Sequence, residues 1–449
     1  MLSFSLSPEQ KALRQKAREF ALKEVLPWAW YYDEKDEVSL TLLQKAYQAG
    51  FMNGDIPQKY GGQGKGSIEA ALVTEEIAAA CPGTATSIFD NSLGLTPLIL
   101  CENETLKRKI FSELLREFKL ICFATSEPTM GSDVAGMQCR AAADGEDFVL
   151  TGTKFWITNA GVADYLVVFA TVDPALKHKG IGAFLVERNR PGVSVSPPIP
   201  KMGQRCSNTA GVHLQGVRVP KEQVVAPPGQ GFVLAMRTFE RTRPIIGAFA
   251  VGAARTAMEF ALDYAKRRHA FGKTLAEYQA VQFKLADMIQ QVETARLLVW
   301  KAAWETDQGL DNGLSASIAK LYGAETAMKV VQEALQIMGG YGYTRFYPME
   351  KFFRDIRLFA IYEGTDEIQR TILAAHTLMK YGSVMPPLED LPMLRPIETA
   401  TGEKGPGGTA WRCRQCGHIH YGNEPPDFCP YCFFPKTMFK KVWPARTEG

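Results

Sequence analysis

The sequence predicts an α+β protein of several domains: a helical N-terminal domain, a middle β-barrel, a C-terminal four-helix bundle and a small four-cysteine metal-binding module. Three observations support this. The 449 residues exceed one ordinary domain. Helical periodicity flanks a region of short β-branched and aromatic runs, and strands grouped in this way are typical of separate domains rather than alternating βαβ units. Four of the nine cysteines crowd near the C-terminus.

Changes in composition along the chain set the expected domain boundaries. We expect the N-terminal helical domain over 1–120, the β domain over 121–228 and the helical bundle over 229–382. A Pro- and Gly-rich linker over 383–410 then leads to the metal module over 411–449. This linker composition is typical of extended and flexible connections.

Local signals place the first helices and the clearest strands. Residues 7–10, Ser-Pro-Glu-Gln, form a capping box with Pro at the first helical position. A second helix is expected from about Ser39 to Ala49, with Gly50 as its C-cap. The clearest strands are rich in β-branched and aromatic residues and cover 148–150, 165–169 and 183–186.

Composition argues against several classes of function. The formal net charge of +3 is small for this length, so no general attraction to nucleic acid or to a membrane surface is expected. The N-terminus lacks the cationic start and apolar run of a secretory signal. No uninterrupted apolar stretch approaches the roughly 20 residues that span a bilayer. We therefore expect a cytoplasmic protein without a transmembrane segment or a nucleic-acid partner.

Two motifs lie in the first part of the predicted β domain. Residues 126–133, Ser-Glu-Pro-Thr-Met-Gly-Ser-Asp, form a polar turn in which Gly131 allows close backbone approach, so the turn could hold a phosphate or a polar ring edge. Residues 154–159, Lys-Phe-Trp-Ile-Thr-Asn, could place a Trp and a Thr against a planar cofactor. The alternatives are an ordinary turn and an amphipathic strand with a core Trp.

The third motif is Ile361–Arg370, Ile-Tyr-Glu-Gly-Thr-Asp-Glu-Ile-Gln-Arg. Gly364 interrupts the run and Thr365 is expected to cap the following helix. Glu363 would then lie in a turn, where an apolar cleft would raise its pKa and suit it to proton abstraction. The alternative is a surface glutamate favoured by the dipole of the next helix.

Together these motifs resemble the acyl-CoA dehydrogenase family in order and spacing, from Ser7 to about Tyr381. Five further motifs share the resemblance: 60–62, 91–94, 268–273, 336–342 and 354–355. The resemblance implies FAD-dependent dehydrogenation of a short- or medium-chain acyl-CoA to a trans-2-enoyl-CoA. In that reaction Glu363 is the base, a hydride passes to flavin N5, and electrons go to electron-transfer flavoprotein. The alternatives are an acyl-CoA oxidase or an enoyl-CoA reductase.

The resemblance also assigns contacts position by position and implies a homotetramer. Expected FAD contacts within one subunit are Phe123, Ser126, Ser132, Trp156, Thr158, Thr365 and Glu367. Expected contacts to the FAD of a neighbouring subunit are Arg268, Phe271, Gln279, Gln336 and Gly340. Expected substrate contacts are Ser132, Arg243, Tyr362 and Gly364. Phe89 stands where some medium-chain relatives carry a pocket-floor Glu, and residues 210–214 also depart from the usual pattern.

The tail carries two Cys-x-x-Cys pairs, Cys413/Cys416 and Cys429/Cys432. Such pairs present four thiolates to one tetrahedral metal ion. The pattern resembles the rubredoxin-like domain at the end of rubrerythrins, which implies one iron and single-electron transfer. A structural zinc site has the same ligands, and the tail would then serve as a recruitment module. The other five cysteines are expected to be buried thiols.

Overall fold

A computed structural model describes residues 5–380, 400–402 and 409–442. The chain divides into two compact units, Met1–His376 and Thr377–Gly449. Most of the predicted linker over 383–410 lies outside the described residues.

The N-terminal region is helical, as predicted. The capping box is confirmed, because Ser7 Oγ accepts from the Gln10 amide at 3.2 Å and Gln10 Oε1 accepts from the Ser7 amide at 3.0 Å. The side chain of Ser39 caps the third helix. The helices are α1 Pro8–Phe20, α2 Ala29–Lys35, α3 Leu40–Gln48, α4 Ser67–Ala80, α5 Pro82–Leu100 and α6 Glu104–Arg116. Most residues of α4 and α5 are buried, so these two helices form the core of the region.

The middle region is a twisted sheet and not the closed barrel that we predicted. Its strands are β1 Ile121–Ala124, β2 Arg140–Asp144, β3 Asp147–Thr158, β4 Tyr165–Thr171, β5 Ile181–Glu187, β6 Val193–Val195, β7 Thr209–Val219 and β8 Val224–Ala226. The order is β6-β7-β3-β2-β4-β5-β8, and β1 pairs in parallel with β4. Among the described strands, the three-residue β6 and β8 end this path without pairing with each other, so the sheet stays open.

The C-terminal region of the first unit is helical around one long central helix. The helices are α7 Gly231–Arg267, α8 Gln279–Asp307, α9 Gly313–Met338, α10 Gly340–Tyr343, α11 Met349–Ile356 and α12 Asp366–Lys380. Two short strands, β9 His269–Ala270 and β10 Lys273–Thr274, form a hairpin before α8. The helices α7, α8 and α9 pack together, and α4 of the N-terminal region packs on α7 and α8. A four-helix bundle confined to 229–382 therefore stays a prediction.

Helix α7 has the length and composition of a membrane-crossing helix, and it is the single described helix that does. However, 72% of its most apolar window is buried inside the protein, which is typical of a core helix.

The tail forms a small sheet around the four cysteines. Its strands are β11 Ala400–Thr401, β12 Ala410–Cys413, β13 Ile419–Tyr421 and β14 Phe439–Val442, in the order β11-β13-β12-β14. Strand β11 lies within the segment that we predicted to be linker.

Candidate active site and metal centre

Glu363 lies in the turn that joins a short 3₁₀ helix, Arg357–Ala360, to α12. Glu363 and Gly364 both have left-handed backbone, with φ of 52° and 93°. Such a conformation costs energy at a non-glycine residue and is found where the surrounding structure enforces it. Thr365 caps α12 as predicted, because its hydroxyl accepts from the Ile368 amide at 3.3 Å.

Side chains from α7 and α12 hold this turn in place. The Thr242 hydroxyl donates to Glu363 Oε2 at 2.6 Å. Arg243 Nε and Gln369 Nε2 both donate to the Glu363 carbonyl at 3.2 Å. The Glu363 carboxylate is therefore directed toward α7. Hydrogen bonds fix both the backbone and the side chain of this residue.

The turn perturbs the acidity of Glu363 strongly. Burial raises the pKa of Glu363 to about 7, although the Thr242 hydroxyl and the positive charges of Arg243 and Lys320 favour the ionised form. Lys320 is itself buried and pairs with Asp366 at 2.8 Å. A carboxylate with a pKa near neutrality is well suited to general-base catalysis, because it is both available and basic enough to take a proton.

Four aromatic rings form a continuous wall from α5 to the Glu363 turn. The rings of Phe89 and Phe249 meet edge to face at 5.6 Å between centroids. Phe249 stacks on Phe359 at 6.2 Å, and Phe359 stacks on Tyr362 at 6.1 Å. Phe249 and Phe359 are fully buried, so this side of the site is closed by packed rings.

Two residues that interact with Glu363 were not predicted as site residues from the sequence: Thr242 and Asp90. Thr242 gives no signal of its own, because a threonine in a helix is ordinary. Asp90 does give one: it is the only charged residue of α5, and only 5% of its surface is exposed. Burial and the negative charge of Glu363 both raise the pKa of Asp90 well above its usual range.

A buried ion pair organises the polar turn over 126–133. Lys154 Nζ lies 2.8 Å from Glu127 Oε1 and donates to the Thr125 carbonyl at 2.9 Å. Glu127 also accepts from the amides of Gln138 and Cys139, at 2.8 and 2.9 Å. The turn and strand β3 are thus fixed to each other, whereas Ser132 at the tip of the turn is exposed.

The Lys154–Asn159 motif carries an exposed aromatic ring and not a core Trp. Trp156 has φ of 64° in an irregular stretch of β3 between Lys154 and Ile157, and 57% of its surface is exposed. Thr158 follows at the end of the strand. Phe123, in contrast, is buried, with its ring packed against Phe169 and Phe239 at 4.9 and 5.4 Å. The strand therefore presents Trp156 outward.

The four tail cysteines converge on one point. Their Sγ atoms all lie within 4.8 Å of one another, and Cys413–Cys432 and Cys416–Cys429 are 3.6 and 3.5 Å apart. A tetrahedral ion with metal–sulfur bonds of about 2.3 Å needs sulfur–sulfur distances of about 3.8 Å. Burial alone would raise the pKa of Cys429, but amide hydrogen bonds and the neighbouring thiols lower it to about 7. The donor set therefore fits one thiolate-bound metal ion, iron or zinc.

Comparison with known proteins identifies the family of the chain. Models of the N-terminal, middle and C-terminal domains of acyl-CoA dehydrogenases match residues 7–117, 122–217 and 229–378. A probable acyl-CoA dehydrogenase of Mycobacterium tuberculosis is 39% identical over 372 residues, which are 83% of this chain and 96% of that protein. The chain belongs to the acyl-CoA dehydrogenase family.

Further comparisons extend this result. The mitochondrial short-chain specific acyl-CoA dehydrogenase of Bos taurus is 39% identical over 85% of this chain and 93% of its own length. The butyryl-CoA dehydrogenase structure from Megasphaera elsdenii superposes with a TM-score of 0.82 at 34% identity, over 84% of this chain and all of its own. The rubredoxin-like domain of rubrerythrin matches residues 411–440. This flavoprotein oxidoreductase therefore carries an added rubredoxin-like domain.

Acyl-CoA dehydrogenases bind FAD, and the middle domain of this chain fits that cofactor. The Thr125 hydroxyl is buried and lacks a hydrogen-bond partner among the described residues, although buried polar atoms are normally paired. Trp156, on the strand that Lys154 fixes to this turn, has an exposed ring. A Cβ built on Gly131 would meet nothing within 4 Å, so the turn leaves open space beside its backbone. A planar, polar-edged group would satisfy these features.

The residues predicted to reach a neighbouring FAD are all on the surface of this acyl-CoA dehydrogenase unit. Arg268 and Gly340 line one open cleft of about 560 Å³ together with Tyr341. Phe271 is 99% exposed at the tip of the β9–β10 hairpin. Two more predicted contacts, at the start of α8 and near the end of α9, are exposed but do not line the cleft: Gln279 and Gln336. The predicted contact Glu367 is also exposed, in the first turn of α12.

Proposed function

We propose that this chain oxidises a short-chain acyl-CoA to the trans-2-enoyl-CoA, with Glu363 as the base. The observation that carries the proposal is the position of Glu363, which is fixed in a strained turn with its pKa raised to about 7. The proton next to a thioester carbonyl is only weakly acidic, so its removal needs a base of raised pKa and a group that stabilises the negative charge on the carbonyl oxygen.

Each side chain of the turn has a distinct role in this proposal. Glu363 takes the proton from the α-carbon, and Thr242 holds its carboxylate in one orientation. Arg243 fixes the backbone at Glu363, so that an amide of the turn at Glu363–Gly364 can donate to the thioester oxygen. FAD, when bound, supplies the acceptor for the hydride from the β-carbon. Tyr362 closes the site beside the acyl chain.

A short acyl chain is favoured by the aromatic wall. Phe89 occupies the expected pocket-floor position and packs edge to face on the buried ring of Phe249. A long acyl chain would have to displace both rings, and the tight packing of protein interiors resists such movement. We expect Phe89→Ala to extend the accepted chain by two or more carbons.

The test uses the purified, flavin-loaded protein with a panel of acyl-CoA thioesters from four to sixteen carbons. Turnover should be highest at the short end. Glu363→Gln should lower kcat by about 10³-fold or more, since general-base catalysis typically contributes 10²- to 10⁴-fold. Glu325→Gln is a matched control, because Glu325 is a half-exposed glutamate of the same helical region that pairs with Arg370. Full turnover of Glu363→Gln would contradict the proposal.

The electron acceptor that we propose is electron-transfer flavoprotein, and the alternative is oxygen, as in an acyl-CoA oxidase. Resemblance to the family supports the first acceptor. Turnover with electron-transfer flavoprotein should exceed turnover with air-saturated buffer by at least tenfold. Equal rates, together with release of hydrogen peroxide, would favour the oxidase. An enoyl-CoA reductase would instead convert the enoyl-CoA to the saturated acyl-CoA when it is supplied with a reduced electron donor.

We further propose that the tail binds one iron and relays single electrons. The thiolate set fits iron and zinc equally, and the redox chemistry of the host favours iron. Elemental analysis should find one iron per chain, and the oxidised protein should give the electron paramagnetic resonance signal of high-spin ferric iron. One zinc per chain without such a signal would make the tail a structural recruitment module.

The homotetramer is supported by apolar side chains that remain exposed on the first unit. Four of them lie along α8, at 44–61% exposure: Phe283, Ile289, Leu297 and Trp304. Patches of this kind usually mark interfaces. Light scattering should give four times the chain mass, and Trp304→Glu should dissociate the assembly and lower FAD retention. A monomer with full FAD content would contradict the shared site. We also keep the cytoplasmic location and the domain boundaries of the sequence analysis as proposals.

A further inference from the structure

Asp90 is a buried acid that the reaction described above does not use. Its Oδ2 atom is inaccessible to solvent and has no hydrogen-bond partner among the described residues. A buried polar atom without a partner is costly, and native structures rarely keep one without a function. The side chain one turn earlier on α5, Ser87, also has a buried hydroxyl without a partner in the described part of the chain.

The helix that carries Asp90 lies directly against the middle domain. Asn91 Oδ1 accepts from the Ile121 amide at 2.8 Å, and a Cβ built on Gly94 would lie 2.6 Å from the Ile121 carbonyl oxygen. Helix α5 thus touches β1, the strand that carries Cys122.

The residue before Asp90 on α5 connects this helix to the catalytic turn, because the ring series from Phe89 ends at Tyr362, next to Glu363. The charge of Glu363 acts on Asp90, and the preceding residue, Phe89, belongs to the aromatic wall of the acyl pocket. Asp90 therefore lies on a helix that contacts β1 on one side and, through the ring of Phe89, joins the aromatic wall that limits the acyl chain. A plain alkyl chain in this place would leave Asp90 dry and unpaired.

We propose that Asp90 forms a polar subsite of the acyl pocket, which binds a hydroxyl or amino group carried on the acyl chain beyond its β-carbon. This inference rests on the proposed function, because Glu363 defines where the α- and β-carbons lie. Those two carbons react, so a polar group that reaches Asp90 must sit on a later carbon. A hydroxyl and an amine share the hydrogen-bond donor that a carboxyl oxygen accepts.

A site built to hydrogen-bond a substrate group discriminates strongly against the analogue that lacks it, because its own polar atoms are then left unpaired. Leaving one buried group unpaired typically changes affinity by about 10- to 100-fold. The full-length, flavin-loaded enzyme should therefore use 4-hydroxybutyryl-CoA or 4-aminobutyryl-CoA with a kcat/KM at least tenfold above that for butyryl-CoA.

The decisive measurement is the ratio of kcat/KM for 4-hydroxybutyryl-CoA to that for butyryl-CoA, with a dye as electron acceptor. Asp90→Leu should lower this ratio by about 10- to 100-fold, mainly because kcat/KM for 4-hydroxybutyryl-CoA falls. Asp90→Asn keeps a hydrogen-bonding side chain of the same shape and should keep most of the preference. If Asp90→Leu does not fold, the wild-type ratio and the Asp90→Asn variant still decide.

Asp55→Asn is the matched control. Asp55 is a partly buried acid of the same region, its Oδ1 also lacks a partner among the described residues, and burial raises its pKa to about 6. Its charge interacts with Arg241 rather than with Glu363, so the substrate ratio should not change.

Three results would overturn the inference: a wild-type ratio of one or less, an equal loss of both substrates in Asp90→Leu, or loss of FAD from the Asp90 variants. The last two would make Asp90 a structural or cofactor residue. Failure of the proposed function gives a different result, since Glu363→Gln would then retain turnover. In Glu363→Gln, tighter binding of the 4-hydroxy thioester, read from the flavin spectrum, tests the subsite without turnover.

Discussion

The hydrogen bond from Thr242 to Glu363 allows a quantitative test of how the base is tuned. The Thr242 hydroxyl lies 2.6 Å from Glu363 Oε2 and 3.0 Å from the Thr238 carbonyl, and its single proton goes mainly to the closer, charged acceptor. A hydrogen bond to a charged group contributes about 1.5–3 kcal/mol, and one pKa unit corresponds to 1.36 kcal/mol. Thr242→Val should therefore raise the pKa of Glu363 by about one to two units.

The assay is the pH dependence of kcat/KM for butyryl-CoA with an artificial acceptor. Glu363 must be ionised to act as base, so activity should fall as pH drops through about 7 in the wild type. In Thr242→Val this acid limb should move up to about 8 or above, whereas Thr242→Ser keeps the hydroxyl and the wild-type limb. An unmoved limb in Thr242→Val, or an equal shift in Thr242→Ser, would refute this account.

Three further results are expected. Glu363→Gln should raise the free energy of unfolding at pH 8 by up to about 3 kcal/mol, because the folded-state pKa of about 7 exceeds the ordinary value of 4.5. Ionising Glu363 therefore destabilises the fold progressively from about pH 4.5 to 7, and denaturant titration at pH 4 should show no such gain. Lys154→Met leaves Glu127 buried without its cation, so the free energy of unfolding should fall by about 3–5 kcal/mol and flavin should be released. Lys221→Met removes an exposed pair with Glu146 and should change neither the free energy of unfolding nor the flavin content. Cys429→Ser should abolish metal binding by elemental analysis while dye-linked dehydrogenase activity stays unchanged, and lost dye-linked activity would mean that the metal site supports the catalytic unit.

Local sequence was sufficient for the parts of the site that are encoded locally. The cap at Thr365, the break at Gly364 and the cysteine pairs each depend on residues a few positions apart, so the turn around Glu363 and the tail cluster could be predicted. Local sequence left Trp156 open between a ring that faces a cofactor and a core ring, because its exposure depends on an irregular stretch of β3, and a Trp in a strand pattern usually packs inward.

Other features depend on contacts between distant segments. Asp90 and Thr242 become informative only when α5, α7 and the turn before α12 are brought together, and their roles are not visible in their own neighbourhoods. The open sheet was missed for a similar reason: alternation along a strand predicts its faces but not whether the first and last strands pair.

The short strand Ala400–Thr401 changes where the rubredoxin-like unit begins. It pairs with Ile419–Tyr421 at the edge of the tail sheet, and the Thr401 hydroxyl lies 2.9 and 3.0 Å from ring nitrogens of His418 and His420. The family match begins only at residue 411. Grafting this four-cysteine module onto another enzyme therefore requires a cut before Ala400, because a cut at 411 would expose the backbone edge of Ile419–Tyr421 to pairing with other chains.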